Sequence, residues 1–256
     1  MPRIHDITDL NIYRNERRKH KNVRWVLIPA FLVVCMVAGY FFSMSGLFAI
    51  RGVELSGNTY LEEEEILGLA GIEIGKNIFT VNDELLEELL PIIPRIKSAQ
   101  VHRRLPGTVV IKVQEREPVG MMIIGRAALE IDASGRVLDR YTTIKGQALP
   151  LITGIDTTDK GLVAGSYITG KGMETATGIL TAMKDYGFDI GEVNVSDPDY
   201  IKIYSPDGIE IRLGDAEDLE EKYRLYNSII LENQGTGKAI RYIDVSILEK
   251  PALSFK

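Results

Sequence analysis

The sequence predicts an α+β protein with a single N-terminal transmembrane helix, a small β-α-α-β-β domain, and then a mixed domain with an antiparallel sheet and helices. Three observations predict this class. One uncharged run of 26 residues, Trp25 to Ile50, is long enough for a membrane span. Two short helical patterns lie between strand patterns in residues 49–117. Beyond residue 117, short alternating runs separated by turn residues are typical of strands.

The apolar run predicts a membrane anchor at residues 25–48. As an α-helix rising about 1.5 Å per residue, the run can cross a hydrocarbon core of about 30 Å. A cleavable signal peptide is the alternative, but its apolar core is normally shorter and is followed by small residues at the cleavage site. Here the run ends in Ser-Gly-Leu-Phe-Ala-Ile, with bulky residues near any cut. We therefore interpret the segment as an uncleaved anchor.

The charges on either side of the anchor predict its orientation. Residues 1–24 contain seven Arg and Lys residues against three acidic ones, whereas the rest of the chain has a net charge of −10. Segments rich in Arg and Lys stay in the cytoplasm. We therefore expect a cytoplasmic tail at 1–24 and an extracytoplasmic bulk, anchored in the inner (cytoplasmic) membrane. The acidic exterior also argues against nucleic acid as a ligand.

The residue types that catalysis needs are sparse in this chain. The three histidines are His5, His20 and His102, and the one cysteine, Cys35, falls in the anchor. The sequence has no nucleophile elbow, no Cys/His cluster and no phosphate-binding spacing of glycines. We therefore predict a protein that is not an enzyme and that has no cofactor, no metal site and no small-molecule substrate.

The small domain, predicted at 49–117, starts with a strand and a helix. The strand pattern at 49–55 ends in a turn signal at 56–58. Asn58 or Thr59 can cap the helix that follows, and four consecutive glutamates fill its first turn, where acids suit the positive end of the helix dipole.

A second helix and a hairpin complete the small domain. The helix pattern begins at Asn82 or Asp83 and stops at Pro91, because proline cannot continue a helix. Its predicted apolar face contains four leucines, Leu85, Leu86, Leu89 and Leu90. Strand patterns at 96–103 and 108–115, joined by a Leu-Pro-Gly turn, predict a hairpin.

The second domain, predicted at 118–249, alternates short strands with two helices, and residues 250–256 are interpreted as a tail. The predicted helices are 172–186, with an apolar face every three to four residues, and 216–232. The predicted strands are 119–124, 128–131, 137–141, 149–152, 190–195, 200–204, 209–213 and 239–248.

Several motifs, in order along the chain, resemble a known family. In the small domain they are Gly57-Asn58, Gly75-Lys76-Asn77-Ile78-Phe79, Pro94-Arg95-Ile96-Lys97-Ser98-Ala99, Arg104-Leu105-Pro106 and Glu115-Arg116-Glu117-Pro118. In the second domain they are Ile131-Asp132, Gly135-Arg136-Val137, Leu149-Pro150-Leu151-Ile152-Thr153-Gly154, Leu213-Gly214, Lys222 and Tyr242-Ile243-Asp244-Val245-Ser246. Together they resemble the FtsQ-type POTRA domain and the C-terminal β domain of the FtsQ/DivIB cell-division proteins.

The resemblance implies a bacterial divisome scaffold at the division septum. Such proteins bind FtsL-like and FtsB/DivIC-like bitopic proteins, and through them help to control septal peptidoglycan synthesis by a synthase and a transpeptidase. Two alternatives remain. A POTRA-containing transport or envelope assembly factor would need tandem POTRA repeats or a barrel, and the β-α-α-β-β pattern occurs once. An extracytoplasmic cell-wall enzyme is disfavoured by the missing nucleophile context.

The partner is expected to bind at the closing strand, 239–248, by strand addition at a sheet edge. Alternation predicts Tyr242, Asp244 and Ser246 on one face, with Ile243, Val245 and Ile247 towards the core. The predicted partner-binding residues are Tyr242, Asp244, Ser246, Ile247 and Phe255.

The segment Glu115-Arg116-Glu117-Pro118 has two readings. Charge pairing and the stiffness of proline favour a structural join between the domains, and a partner surface is the alternative.

Overall fold

The computed structural model describes residues 8–142, 149–156, 161–235 and 237–256, with side chains from Trp25 onward. Helix α1 covers Thr8–Ser43, and within it Trp25–Ser43 is long and apolar enough to cross a membrane. The α-helix ends at Ser43 rather than continuing through residue 48, and a single 3₁₀ turn follows at Gly46–Phe48. Serine and glycine in this stretch are weaker helix formers than the aliphatic residues before them, which accounts for the earlier end.

The remaining elements follow the predicted order. The helices are α2 (Glu63–Ala70), α3 (Asp83–Leu89), α4 (Lys171–Asp185) and α5 (Leu219–Asn233). The strands are β1 (Gly52–Ser56), β2 (Ile96–Arg104), β3 (Thr108–Glu115), β4 (Pro118–Ile124), β5 (Ala127–Asp132), β6 (Val137–Tyr141), β7 (Leu151–Thr153), β8 (Glu192–Asn194), β9 (Ile201–Tyr204), β10 (Glu210–Gly214), β11 (Ile240–Asp244) and β12 (Ala252–Phe255). Helix α2 begins later than the predicted cap at Asn58 or Thr59.

The strands form two sheets. A three-stranded sheet has the order β1-β3-β2, and the hairpin β2-β3 is the one predicted. A nine-stranded sheet has the order β12-β11-β10-β9-β8-β7-β4-β5-β6. Most neighbours in this larger sheet are antiparallel, but β4-β7, β7-β8 and β10-β11 pair in parallel. Parallel strands need a crossover, and α4 supplies it for β7-β8 and α5 for β10-β11. Strands β4 and β7 are instead connected through β5 and β6.

The chain packs into two compact units. The smaller unit comprises Met1–Glu54, Gly71–Asp83 and Val101–Ile111, and the larger comprises Leu55–Ala70, Glu84–Gln100 and Lys112–Lys256. These units do not coincide with the predicted division at residue 117, which stays a prediction.

Helix α4 covers one face of the larger sheet. The predicted apolar face of this helix is confirmed, because Met173, Ala176, Ile179, Leu180 and Met183 are all buried. They belong to a core with inward residues from successive strands, among them Val193, Ile203, Ile211 and Ile243. The opposite face of these strands is polar and half-buried, with Glu192, Lys202, Tyr204, Glu210 and Arg212. At β8, β9 and β10 the larger sheet is therefore amphipathic, with one helix-covered face and one open face, whereas β5 is buried on both faces.

The four leucines in and after α3 do not share one buried face, so the predicted leucine face is wrong. Leu90 is fully buried and Leu86 is 7% exposed, but Leu89 is half-buried and Leu85 is 55% exposed. The α-helix ends at Leu89, and a 3₁₀ turn continues over Leu90–Ile92. The tighter winding of the 3₁₀ turn rotates Leu90 relative to a continuous α-helix, so a single helical stripe does not describe the four side chains.

A candidate partner-binding edge

The closing strand predicted as the sheet edge is not at the edge. Strand β11 pairs in parallel with β10 on one side and antiparallel with β12 on the other. The expectation that 239–248 is an edge strand is therefore wrong, and so is the interpretation of residues 250–256 as a tail. Residues 252–255 form the last strand of the sheet. A turn after Ile247, where the Lys250 N–H donates to the Ile247 carbonyl at 3.0 Å, returns the chain.

Strand β12 is the more open of the two edges of the larger sheet in the described part of the chain. At the opposite edge, Val137 of β6 bonds in both directions to the 165–166 segment, at 2.8 Å each. Strand β12 has β11 as its sheet neighbour. It is short, it follows Pro251, and Lys250 and Lys256 flank it, which are features that discourage indiscriminate pairing of edges.

Backbone direction on β12 follows from one hydrogen bond. The Lys256 N–H donates to the Ala239 carbonyl at 2.8 Å, so it points towards β11. Because backbone groups alternate along an antiparallel strand, the N–H groups of Leu253 and Phe255 point away from the sheet, towards an incoming strand.

Tyr242 and Asp244 lie together on the open face of the sheet. The Arg212 guanidinium lies over the Tyr242 ring, with its Cζ 3.9 Å from the ring centre. Arg212 Nε also donates to Glu210 Oε1 at 2.7 Å, and this bond raises the pKa of Arg212 above its ordinary value. The arginine is thus oriented from both sides, and Tyr242 is the aromatic end of a small charged cluster on β10 and β11.

Ser246 and Ile247 lie beyond β11, in the loop that leads to β12. Asp244 Oδ1 accepts hydrogen bonds from the Ser246 N–H at 3.1 Å and from its hydroxyl at 2.6 Å, which closes a local turn. Ser246 also lies against Gly214, whose φ is +71° and where an added Cβ would come within 2.9 Å of Ser246 Cβ. Ile247 is 57% exposed, so its predicted place in the core is wrong, whereas Ile243 and Val245 are fully buried as predicted.

Phe255 lies on the other face of the edge hairpin. It pairs with Ile240, and Ser254 pairs with Tyr242, so alternation separates Phe255 from the Tyr242 face. Its ring is 36% exposed, and Lys238 Nζ lies 5.3 Å from the ring centre. The five predicted residues therefore share one hairpin, the β11-β12 hairpin, but not one face.

Sequence reasoning missed the strand β12 itself, the role of Leu253 on it, and the role of Arg212 on β10. Leu253 presents an outward N–H, and Arg212 orients Tyr242 from the neighbouring strand. The sequence held a signal for the strand, because Ala-Leu-Ser-Phe alternates after the breaker Pro251. No local signal reveals Arg212, since it meets Tyr242 through a parallel pairing.

The segment Glu115-Arg116-Glu117-Pro118, at the end of β3, takes part in charge pairing inside the larger unit. The Glu115 carboxylate accepts the N–H groups of Tyr60 at 2.9 Å and Leu61 at 3.0 Å. Glu117 pairs with Lys184 at 2.9 Å, and this hydrogen bond lowers the pKa of Glu117. The pairing favours the structural reading of this segment.

A buried ion-pair cluster continues from the same segment, and we define it as Arg95, Arg116, Glu130, Asp132 and Tyr141. Arg95 is paired with Glu130, which also accepts the Tyr141 hydroxyl at 2.9 Å. Arg116 Nη1 donates to Asp132 Oδ2 at 2.8 Å. The cluster fixes β5 from two arginines, and burial together with the Glu130 contact raises the pKa of Tyr141.

Within the described residues, no group of three His, Cys, Asp or Glu side chains is placed to hold a metal ion. The geometry that stands out is an open strand edge beside an oriented tyrosine. With the β-α-α-β-β order, it defines a class of α+β proteins that have an open sheet edge and an N-terminal helix long and apolar enough to cross a membrane.

Comparison with known proteins identifies the family. The model for the FtsQ-type POTRA domain matches residues 48–116, and the model for the C-terminal region of cell division protein FtsQ/DivIB matches residues 125–246. The chain belongs to the FtsQ/DivIB family of cell-division proteins.

Individual relatives agree with this assignment. Cell division protein FtsQ of Myxococcus fulvus is 28% identical over 182 residues, which is 70% of this chain and 63% of that protein, so the match spans less than two thirds of its length. Cell division protein DivIB of Clostridium tetani is 28% identical over 82% of this chain and 80% of that protein. DivIB of Clostridium botulinum strain Loch Maree is 23% identical over 96% of both chains.

Proposed function

We propose that this chain is a divisome scaffold that binds FtsL-like and FtsB/DivIC-like bitopic proteins by strand addition at β12. Through these partners it helps to control septal peptidoglycan synthesis by the synthase and the transpeptidase. The observation that supports the proposal most directly is the position of β12 as an open edge strand in a member of the FtsQ/DivIB family. No catalytic step is assigned to the chain.

The proposed contact begins with the backbone of β12. An incoming strand would accept hydrogen bonds from the outward N–H groups of Leu253 and Phe255 and donate to the carbonyls of the same two residues. Lys250 and Lys256 at the two ends favour a partner strand with acidic residues near its ends. Phe255 adds an aromatic contact on one face, and Tyr242 and Asp244 remain candidate contacts on the other. Ser246 and Ile247 contribute the exposed loop.

The proposal includes a topology. Residues 1–24 lie in the cytoplasm, Trp25–Ser43 crosses the inner membrane once, and the residues after it lie outside, at the division septum. The charge asymmetry across the apolar helix supports this orientation. The family assignment supports the septum.

A pair of substitutions at one position tests strand addition. Leu253→Pro removes an outward donor that the sheet itself does not use, and Leu253→Ala removes the same side chain but keeps the donor. We expect Leu253→Pro to lose capture of the FtsL-like and FtsB/DivIC-like partners, and Leu253→Ala to retain most of it. Capture is measured by co-purification of the full-length chain from solubilised membranes, with circular dichroism to confirm folding.

Equal capture by the two variants would contradict strand addition, because the lost donor is their main difference. Substitutions on the two faces then locate side-chain contacts. Tyr242→Ala or Phe255→Ala should cost about 1–3 kcal/mol of binding if either residue is a hot spot. A fluorescent fusion of Leu253→Pro reports whether recruitment to the septum depends on the same edge.

A further inference from the structure

The smaller unit has exposed apolar side chains close to the end of the membrane helix. We call four of them the collar, Leu47, Ile74, Phe79 and Leu105, and their exposed fractions are 46%, 63%, 46% and 55%. They come from three separate segments: the 3₁₀ turn after α1, the loop before α3 and the β2-β3 turn. Large apolar side chains grouped at one end of a unit indicate a surface that another apolar phase covers.

Backbone bonds hold these three segments together. The segment after the helix is flanked on both sides, since the Ile50 N–H donates to the Lys76 carbonyl and the Arg51 N–H to the Gly107 carbonyl, at 2.7 Å each. Gly107 has no room for a side chain, because an added Cβ would come within 2.4 Å of the Ala49 carbonyl oxygen. The loop and the turn therefore keep fixed positions beside residues 49–51.

The membrane helix is joined to the same loop. Asn77 Nδ2 donates to the Ser43 carbonyl at 2.7 Å, which satisfies a carbonyl at the helix end. Three aromatic rings continue the contact. The ring centres of Phe42 and Phe48 are 5.5 Å apart, and those of Phe48 and Phe79 are 5.2 Å apart. Phe79 is thus held beside the last helical turn, and backbone bonds of Gly75 to Ile50 and of Gly107 to Arg51 keep Ile74 and Leu105 close to the residues that follow it.

The length of the helix gives the depth of the collar. Trp25–Ser43 contains 19 residues. At about 1.5 Å per residue it is about 28 Å long, close to the hydrocarbon thickness of about 30 Å. Ser43 therefore falls near the boundary between acyl chains and headgroups, where aromatic and aliphatic side chains of interfacial segments insert.

We propose that the collar inserts into the lipid leaflet that surrounds the end of the anchor, so that lipid acyl chains, and not a protein, cover Leu47, Ile74, Phe79 and Leu105. The continuity of the collar with the membrane helix identifies this occupant. The inference rests on the proposed membrane anchor, but not on the partner edge at β12. Its consequence is that the smaller unit is held against the bilayer rather than tethered above it.

Tryptophan fluorescence in liposomes tests the proposal, because Trp25 is the one tryptophan of the chain. The full-length chain is reconstituted with lipids that have bromine atoms either near the headgroup or near the middle of the acyl chain. Wild-type Trp25 reports on the anchor. In a Trp25→Phe background, Phe79→Trp and Leu105→Trp report on the collar, and Leu231→Trp, at a 62% exposed leucine of α5, is the matched control.

We expect the Phe79→Trp and Leu105→Trp reporters to be quenched more strongly by the shallow bromines than by the deep ones, with blue-shifted emission. The Leu231→Trp reporter should show neither effect. If Trp25 is quenched but neither collar reporter is, the proposed anchor is supported and the collar proposal is wrong. If Trp25 itself is not quenched, both are wrong.

Equal quenching of the Leu231→Trp reporter would also overturn the proposal, because contact with lipid would not be specific to the collar. Circular dichroism checks the fold of each variant. Should Phe79→Trp disturb the contact with Phe48, Leu105→Trp decides the question alone, since Leu105 lies in an exposed turn. Adding Phe79→Glu to the Leu105→Trp chain should reduce its quenching, because a buried charge opposes insertion of the shared surface.

Discussion

Burial at single positions decides which leucines near α3 stabilise the fold. Leu90 is fully buried, although it lies one residue beyond the α-helix, while Leu85 in the first turn is largely exposed. The apolar pattern therefore identifies the four leucines as a group, but it does not predict which of them are buried. Side-chain exposure, and not position in the helical repeat, sets the expected cost of truncation.

Leu90→Ala should destabilise the fold by about 2–5 kcal/mol, because it leaves a cavity where a leucine was fully enclosed. Urea unfolding of the purified full-length chain, followed by circular dichroism, measures the change. Leu85→Ala is the matched control and should stay within about 0.5 kcal/mol, as surface substitutions usually do. Similar losses at the two positions would show that the exposure difference is misjudged.

Arg95 and Glu130 are a buried ion pair, with side chains 10% and 9% exposed. Arg95→Met should cost about 3–5 kcal/mol, since it leaves the Glu130 carboxylate buried without a cation. The double variant Arg95→Met/Glu130→Met should recover most of this loss, because neither position then leaves an unpaired charge buried.

The control is the exposed pair Arg224 and Glu220 on α5, where Arg224→Met should cost less than about 1 kcal/mol. Thermal and urea unfolding of the four chains provide the comparison. A double variant no more stable than Arg95→Met would mean that packing around Arg95, and not the charge of Glu130, is the main contribution.

At the scale of elements, the β5-β6 hairpin depends on one carboxylate in its turn. Asp132 Oδ1 accepts hydrogen bonds from the Ser134 N–H at 2.8 Å, the Ser134 hydroxyl at 2.6 Å and the Arg136 N–H at 3.0 Å. Burial alone would raise the pKa of Asp132. The bonds from Ser134, Arg136 and Arg116 outweigh it and hold the pKa below the ordinary value of 3.8.

This lowered pKa predicts the sign of a pH effect. A carboxyl group with a lower pKa in the folded state contributes stability that is present above its unfolded pKa, near 3.8, and is lost as the pH falls through the folded value. Asp132→Asn should therefore be less stable at neutral pH and lose less stability on acidification to pH 3.

Unfolding midpoints measured across that pH range give the comparison with wild type. Ser134→Ala removes one of the bonds to Asp132 and should show an intermediate acid response. If the stabilities of wild type and Asp132→Asn fall in parallel as the pH is lowered, this carboxylate does not cause the loss of stability in acid.

The wrong prediction that 239–248 is the sheet edge also has its cause at the scale of elements. The alternation at 239–248 was a correct signal for a strand, but five residues form β11 and the Asp244–Ser246 turn ends it. An edge is a property of neighbours and not of the strand's own residues. Because β11 pairs with β12, the candidate edge is β12, at residues 252–255.

For the whole molecule, the proposed orientation predicts a protease pattern. Protease added to intact spheroplasts should degrade the large C-terminal portion, because the basic segment before Trp25 keeps the N-terminus in the cytoplasm. Immunoblots against tags at the two ends detect the products. A protected fragment of about anchor size should keep the N-terminal tag, and protection of the C-terminal tag until lysis would reverse the topology.

The sequence by itself determined the class of the protein and the order of its elements. A long apolar run, the 3.6-residue and two-residue periods, and turn residues are local properties of a sequence. The long apolar helix, the β-α-α-β-β order, the hairpin β2-β3 and the inner face of α4 could therefore be predicted from residues alone. The family motifs are likewise local strings, which is why the resemblance agreed with the family models.

Only the tertiary structure decided which strand is the sheet edge, which face each site residue occupies, and which strand the last residues of the chain pair with. Strand order in the larger sheet depends on crossovers through α4 and α5, and pairing joins residues that no local pattern relates, such as Arg212 and Tyr242. Burial depends on the same distant contacts, as Leu85 and Ile247 show. Hydrogen bonds between strands are satisfied across the fold, so the free edge is defined only when every strand has its neighbour.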